Sequence, residues 1–237
     1  MWELQNSDGG FPARDKKGNP SSLNCTSVWI GTLIRHTSKE AKESLHKACE
    51  WVLSTQSEEG AFVEPEELAS VPDLPPWVPP GKPTPNMPQL VSHLLLAGYQ
   101  DREETRRAIA HLLHYWQNPD GSFKKKYNVW CMIEVLKRIG LPENSRQVQE
   151  AIKATRQYFR GPGRNNPPAL LWCLGSLSSA AIGKNHILVK EVFEQLMAAR
   201  NNDGGWSNED PKGKIQDKTD PILTNNVLAA LRAYELI

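Results

Sequence analysis

The chain has 237 residues, with 28 Lys and Arg against 27 Asp and Glu, so its near neutrality gives no reason to expect binding to nucleic acid or to an anionic surface. Its four cysteines lie far apart without the spacing of metal ligands. Cys131 and Cys173 each follow a tryptophan in an apolar run. We predict that they are buried free thiols of a reducing cytoplasm. No stretch reaches about 18 apolar residues and no signal peptide is recognisable, so secretion or a membrane span is not expected.

A short glycine-bearing motif occurs four times along the chain. It reads QNSDGGF at 5–11, QSEEGAF at 56–62, QNPDGSF at 117–123 and NNDGGWS at 201–207, with a degraded copy, RQYFRGPGRNN, at 156–166. Repeats of this period are typical of stacked supersecondary units, so we predict five repeat units. At each motif we expect a turn in which glycine adopts a positive φ and a neighbouring acidic side chain accepts a hydrogen bond from the backbone.

Apolar and charged segments alternate between the motifs. In chain order they are apolar 24–36, charged 38–56, apolar 87–99, charged 101–117, apolar 126–141, charged 145–159, apolar 167–180, charged 185–200 and apolar 221–237. The apolar segments predict buried inner helices, and the charged ones predict amphipathic outer helices. Strand signals are absent, so we predict an all-α fold in which five inner and four outer helices wrap into an αα-toroid.

Two segments interrupt this alternation. Residues 64–88 are too rich in proline for a helix and predict an ordered loop that packs down through Trp77 and Val78. Residues 207–220 form a second, polar loop. The chain also starts in its first motif, without an outer helix before it. Either the first and last units close on each other in one domain over 1–237, or the chain is truncated and a partner domain or a second copy covers its ends.

One stretch of the chain resembles a known repeat family. KACEWVLSTQSEEGAF, at 47–62, is similar to the QW repeat of squalene–hopene cyclases and class II terpene cyclases, with Phe62 where that family usually has Trp. The related protein prenyltransferase β subunits share the toroid and its glycine-rich turns. The resemblance implies an αα-toroid, an isoprenoid substrate and, for the cyclases, protonation of an alkene by an Asp-x-Asp-Asp motif.

That acid motif is absent, and DKTD before the last apolar segment is the nearest match. Asp217 or Asp220 could act as the acid if water is excluded and a neighbouring donor such as Asn225 increases its acidity. For Asp220 there is a structural alternative, because an Asp-Pro pair is a common helix start and the side chain would then be an N-cap.

Polar and aromatic residues within the apolar segments are the remaining site candidates. Glu134 and His93 would each be costly to bury alone, so they either face the central cavity or pair with each other. Glu134 is a further candidate acid, whereas His93 is either a core histidine or a substrate contact. Aromatic rings could hold a carbocation by cation–π attraction or could simply fill the ring of helices. The aromatic candidates for substrate binding are Trp29, Tyr127, Trp130 and Trp172.

Three functions are compatible with these features. The resemblance favours an isoprenoid-handling enzyme of the class II cyclase type, which needs no cofactor unless a diphosphate substrate requires magnesium. A non-catalytic toroid would instead bind a lipid-like or protein partner through one mouth of the ring, and either protein could contact a membrane peripherally from the cytoplasm. A prenyltransferase β-like subunit is disfavoured because the zinc ligands of that family, an Asp-x-Cys pair and a later His, are not visible.

Overall fold

The computed structural model of the chain describes residues 2–75, 77–120, 122–124, 128–209 and 214–236. These residues are mostly helical, which confirms the all-α prediction at the level of the class. The helices are α1 (Leu23–Leu33), α2 (Lys39–Ser54), α3 (Met87–Leu96), α4 (Glu103–Tyr115), α5 (Val129–Arg138), α6 (Arg146–Arg160), α7 (Pro167–Ser179), α8 (Ile187–Ala198) and α9 (Pro221–Ala233), and short 3₁₀ turns cover Trp2–Leu4, Ala13–Asp15 and Glu66–Ser70. No described helix is long and apolar enough to cross a membrane. The motif glycine Gly121 and the candidate Tyr127 lie outside the described residues.

Each predicted helical segment coincides with one of these nine helices to within a few residues at its ends. The apolar helices α1, α3, α5 and α7 each pack against the charged helix that follows in the chain. The chain divides into two compact units, Met1–Gln117 and Asn118–Ile237. In the first unit α1 contacts α2 and α3, and α3 contacts α4. In the second unit α5 contacts α6 and α7, α7 contacts α8 and α9, and α6 contacts α8. Within each unit the apolar helices therefore contact one another, and the charged helices lie beside them.

Three of the motif glycines have the left-handed conformation that the sequence predicts, whereas Gly161 of the degraded copy has a φ of −126°. The angle φ is 97° at Gly9, 88° at Gly60 and 88° at Gly204. A Cβ atom on Gly9 would lie 2.7 Å from the carbonyl oxygen of Lys47 in α2, and one on Gly60 would lie 2.6 Å from that of Arg107 in α4. Glycine is required at these two positions by the turn conformation and by the close approach of the following outer helix.

The first residue of the motif ties the turn to that same helix. The side-chain amide of Gln5 donates to the carbonyl of the motif glycine at 2.7 Å and to that of Ser44 in α2 at 2.9 Å. Gln56 repeats this arrangement, with a bond of 3.1 Å to its motif glycine and one of 2.7 Å to the carbonyl of Glu104 in α4. In the last motif Arg200 takes this place and donates to the carbonyl of its motif glycine at 2.6 Å.

The acidic and aromatic residues of the motif complete the turn. The carboxylate of Asp8 accepts a hydrogen bond of 2.9 Å from the amide of Gly10, which confirms the predicted role of the acidic position. Phe11 is buried, and its backbone N–H donates to the hydroxyl of Thr26 in α1 at 2.8 Å. These bonds join the turn to the inner helix that follows it, so the repetition of the motif has a structural cause.

The proline-rich segment packs down, although only one of the two predicted residues takes part. Val78 is buried in a small apolar cluster with Ala13, Leu68 and Val71. Trp77 is 39% exposed, so the prediction that it anchors the segment is wrong. The small cluster is completed by aliphatic side chains, which fit under a loop of restricted conformation more readily than an indole does.

A short hairpin contradicts the expectation that the chain has no strands. Strands β1 (Ser207–Glu209) and β2 (Ile215–Thr219) pair antiparallel within the second polar loop. Both strands are polar and lack the apolar alternation by which a half-buried strand is recognised. The pairing is held by backbone hydrogen bonds beside the last motif, a tertiary arrangement that the side-chain pattern does not signal.

Candidate functional site

Asp220, one of the three candidate acids, is the N-cap of α9. One carboxylate oxygen accepts hydrogen bonds from the amides of Ile222 and Leu223 at 2.8 and 2.9 Å, and the other accepts one from the side chain of Asn208 at 3.1 Å. The hydrogen bond from Leu223 is the main cause that lowers the pKa of Asp220, and the other two add to it. The carboxylate is therefore stabilised in its ionised form, as the N-cap alternative predicts.

The substitution Asp220→Ala is expected to lower the free energy of unfolding by about 1 kcal/mol, because two amides of α9 lose their acceptor. Asp220→Asn keeps a side-chain oxygen and is expected to cost much less. Urea denaturation followed by circular dichroism measures both, with Asp217→Ala on the exposed face of β2 as a matched control that should be close to neutral. Equal stability of the Asp220→Ala and Asp217→Ala proteins would contradict a stabilising cap.

The other two candidate acids lie in unlike surroundings. Asp217 is exposed on β2, so water is not excluded from it as alkene protonation requires. Glu134 is buried in α5, where it accepts a hydrogen bond of 3.2 Å from Arg138 on the same helix. Arg138 also donates to the hydroxyl of Ser179 at 2.8 Å, at the end of α7. The buried carboxylate of Glu134 is thus paired with an arginine that is itself exposed and that also contacts the end of α7.

His93 has the surroundings of a core histidine. Its ring lies between α3 and α1, with Nδ1 3.4 Å from the hydroxyl of Ser27. A Cβ atom on Gly31 would lie 2.9 Å from the imidazole, so that glycine makes room for the ring. Burial lowers the pKa of His93 to about 4, and the imidazole is therefore neutral at pH 7.

Two of the aromatic candidates have defined partners. Trp29 in α1 is half-buried, its indole N–H donates to the carboxylate of Asp15 at 2.7 Å, and its ring stacks on Phe11 with centroids 5.2 Å apart. Trp130 is buried in α5, and its ring lies 5.5 Å from that of Phe159 in α6. Trp130 therefore fills the core of the second unit, whereas part of Trp29 is open to solvent.

Trp172 and Asn225 lie on accessible surfaces of the second unit. Trp172 in α7 is 41% exposed, and α9, which packs on α7, exposes Asn225 and 74% of Ile222. Four of the other accessible residues of α7 recur at three- and four-residue steps and share one side of the helix with Trp172. We call this surface the α7 face; it consists of Pro168, Leu171, Trp172, Gly175 and Ser178. The helix contains no charged residue, so this exposed face is uncharged.

A buried carboxyl group that the sequence did not single out lies in the first unit. Glu64, in the proline-rich segment, is only 1% exposed and accepts hydrogen bonds from the amides of Leu23 at 2.8 Å and Asn24 at 3.2 Å, at the start of α1. Burial raises the pKa of Glu64 to about 7, although these hydrogen bonds act in the opposite direction. A raised pKa makes a weaker acid, which is the reverse of what alkene protonation requires.

The sequence offered no means of separating Glu64 from Glu66 and Glu67, which follow it in the same segment and are exposed. Its burial results from the folding of the segment onto the start of α1. Cys131 and Cys173 are buried free thiols, as predicted, and burial raises the pKa of Cys131 to about 12. Among the described residues no group of three or more His, Cys, Asp or Glu side chains is placed to hold a metal ion.

Comparison with known proteins adds a likeness of fold. No protein-family model matches the chain, and no curated protein matches it. A crystal structure of a protein from Actinoplanes is similar, with a TM-score of 0.60 and 15% sequence identity, over 99% of this chain and 81% of that chain. At this level of identity the similarity concerns the fold alone.

Proposed function

We propose that the helix pairs form an αα-toroid that binds an isoprenoid chain without cyclising it. The toroid is supported by the regular alternation of inner and outer helices and by their pairwise packing in each unit. The isoprenoid ligand is supported by the resemblance of residues 47–62 to the QW repeat. The observation that carries the proposal is the uncharged α7 face, on which a tryptophan is exposed.

The exposed faces of the inner helices have the chemistry that an apolar chain requires. A solvent-facing helix surface normally carries charged residues, as the outer helices of this chain do. The α7 face carries none, and Trp172, together with Ile222 of the adjacent helix α9, leaves apolar surface open to solvent. In the first unit α1 likewise has no charged residue and exposes Val28 beside the half-buried Trp29. Covering such surface with a hydrocarbon ligand is favourable by about 25 cal/mol per Å².

The states of the candidate acids favour binding over catalysis. A class II cyclase needs a strong acid that is protonated and shielded from water. Asp220 is a helix cap with a lowered pKa, Asp217 is exposed, and Glu134 is paired with Arg138. Each of the three is therefore either open to water or engaged by hydrogen-bond donors, so we expect no protonation of an alkene.

The substitution Trp172→Ala is expected to weaken the binding of geranylgeraniol about tenfold, because loss of one buried aromatic contact costs roughly 1.5 kcal/mol. Equilibrium dialysis with labelled geranylgeraniol measures the affinity. Tyr115→Ala is the matched control, since Tyr115 is a similarly exposed aromatic residue, 46% accessible, on the outer helix α4. This control is expected to bind as tightly as the unaltered protein.

Product analysis separates binding from catalysis. Squalene and farnesyl and geranylgeranyl diphosphates are incubated with the protein, with and without magnesium, and the extracts are examined by mass spectrometry. Unchanged substrate together with measurable binding supports the proposal. A cyclised product would instead establish an enzyme of the cyclase type. Absence of binding to every prenyl compound, or an equal loss of affinity in the Tyr115→Ala control, would overturn the proposed ligand site.

A further inference from the structure

A cleft of about 630 Å³ lies over the turn of the first repeat, entirely within the first unit. Its volume is in the range of small-molecule sites, about 300–1,000 Å³. Four parts of the chain line it: the motif residues Asn6, Ser7 and Asp8, the loop residues Gly18, Asn19, Pro20 and Ser21, Trp51 of α2, and Pro65 and Glu67 of the proline-rich segment. The proline-rich insertion thus supplies one wall of a cleft whose other walls belong to the repeat itself.

The walls contributed by the repeat are held by hydrogen bonds. The side-chain amide of Asn6 donates to the carbonyl of Asn19 at 3.1 Å and to the hydroxyl of Ser21 at 2.9 Å. The hydroxyl of Ser21 donates in turn to one carboxylate oxygen of Asp8 at 2.8 Å. Trp51 is fixed against the turn, because a Cβ atom on Gly10 would lie only 2.7 Å from its indole ring. A cleft with walls held in this way is largely formed before a ligand enters.

The charges that line the cleft have a single sign. Asp8 and Glu67 are its ionisable residues, and no lysine, arginine or histidine is among the lining residues. Asp8 uses one carboxylate oxygen, Oδ1, to hold the turn. Within the described part of the chain, no ion pair engages Asp8 or Glu67. Two carboxylates on the walls of a concave site attract a positive ligand more strongly than two carboxylates on a flat surface do.

We propose that this cleft binds an organic cation, an alkylammonium or alkylguanidinium group, through Asp8 and Glu67. The remaining walls suit the alkyl part of such a ligand, because Pro20, Pro65 and the accessible edge of Trp51 are apolar. Both a free diamine and the side chain of a lysine or arginine on a partner protein have this chemistry. The lining residues of the cleft differ from the residues proposed to bind the isoprenoid.

Isothermal titration calorimetry with 1,4-diaminobutane tests the proposal. Its neutral analogue 1,4-butanediol has the same chain length and is expected to bind at least about tenfold more weakly, since it lacks the charge–charge attraction. Binding of the diamine is expected to weaken as the salt concentration is raised from about 0.02 to about 0.5 M, because salt screens the attraction between exposed charges. N-acetyl-lysinamide, titrated alongside, shows whether a protein side chain can occupy the same site.

Variants locate the site within the cleft. Glu67→Gln and Asp8→Asn are each expected to weaken diamine binding by roughly three- to tenfold, on the usual scale for one partly exposed charge pair. Both substitutions keep a side-chain oxygen, so the turn held by Asp8 is retained. Glu66→Gln is the matched control, because Glu66 is the adjacent exposed carboxylate and does not line the cleft. Equal binding of the diol and the diamine, an equal effect of Glu66→Gln and Glu67→Gln, or tighter binding of Ca²⁺ than of the diamine would overturn the proposal.

Discussion

The substitution Gly60→Ala is expected to lower the free energy of unfolding by about 4 kcal/mol, the sum of backbone strain and a steric clash. The angle φ of 88° would place alanine in a conformation that L residues rarely adopt. Its Cβ atom would also lie 2.6 Å from the carbonyl oxygen of Arg107, so α4 would have to move. That movement would weaken the hydrogen bond of 2.7 Å between Gln56 and the carbonyl of Glu104. Urea denaturation followed by circular dichroism measures the loss.

Gly98→Ala separates the two contributions. Gly98 lies in the same unit with a φ of 85°, but a Cβ atom there would meet nothing within 4 Å. It is therefore expected to cost only the conformational part, about 1–2 kcal/mol. If the two substitutions cost the same, the close approach of the turn to α4 contributes nothing measurable, and the motif glycine is required for its conformation alone.

The free energy of unfolding is measured for the unaltered protein and for Glu64→Gln. The value for the unaltered protein minus that for the variant is expected to fall by about 3 kcal/mol as pH rises from about 4.5 to about 7. Burial raises the pKa of Glu64 from its ordinary value of 4.5 to about 7 in the folded protein. The folded state therefore binds this proton more tightly than the unfolded state does. The resulting stabilisation is fully present below pH 4.5 and is lost as pH rises through 7.

His93 makes the stability depend on pH in the opposite direction. Because both proteins contain His93, its contribution cancels in the difference between them. Burial lowers its pKa from 6.5 to about 4, so its contribution is present above pH 6.5 and is lost as pH falls towards 4. In the unaltered protein the two trends oppose each other. The Glu64→Gln protein keeps the histidine trend and the trend of carboxylates with a lowered pKa, such as Asp220, and its stability is expected to rise between pH 4 and 6.5. A difference profile without slope would show that the amides of α1 keep Glu64 ionised in spite of its burial.

The four copies of the motif have a structural explanation, which narrows the search for function. In the first two copies the glutamines Gln5 and Gln56 hold the turn to the next helix, and in the first copy Asp8 holds the turn itself. Functional differences are therefore expected where the repeats differ from one another. The two proposed sites meet this condition, since one uses the exposed Trp172 and the other uses a wall that only the proline-rich insertion supplies.

The helices and their order could be predicted from the sequence alone. They depend on local properties: the period of apolar residues, the need for glycine at positive φ, and the inability of proline-rich residues 64–88 to form a helix. The N-cap alternative for Asp220 also depends on local sequence, because it is inferred from the proline that follows Asp220. The polar hairpin β1–β2 could not be predicted in this way, because neither strand has the apolar alternation that indicates a strand.

The environment of each polar group was decided only by the tertiary structure. The sequence could not distinguish buried Glu64 from exposed Glu67, nor could it indicate that Arg138 neutralises Glu134. Desolvation and charge pairing depend on atoms that are distant along the chain, and together with hydrogen bonding they set the pKa of a carboxyl group. The sequence by itself therefore determined the repeating helical framework, and the packing of segments from different repeats determined which carboxyl groups are caps, which are paired and which remain free to meet a ligand.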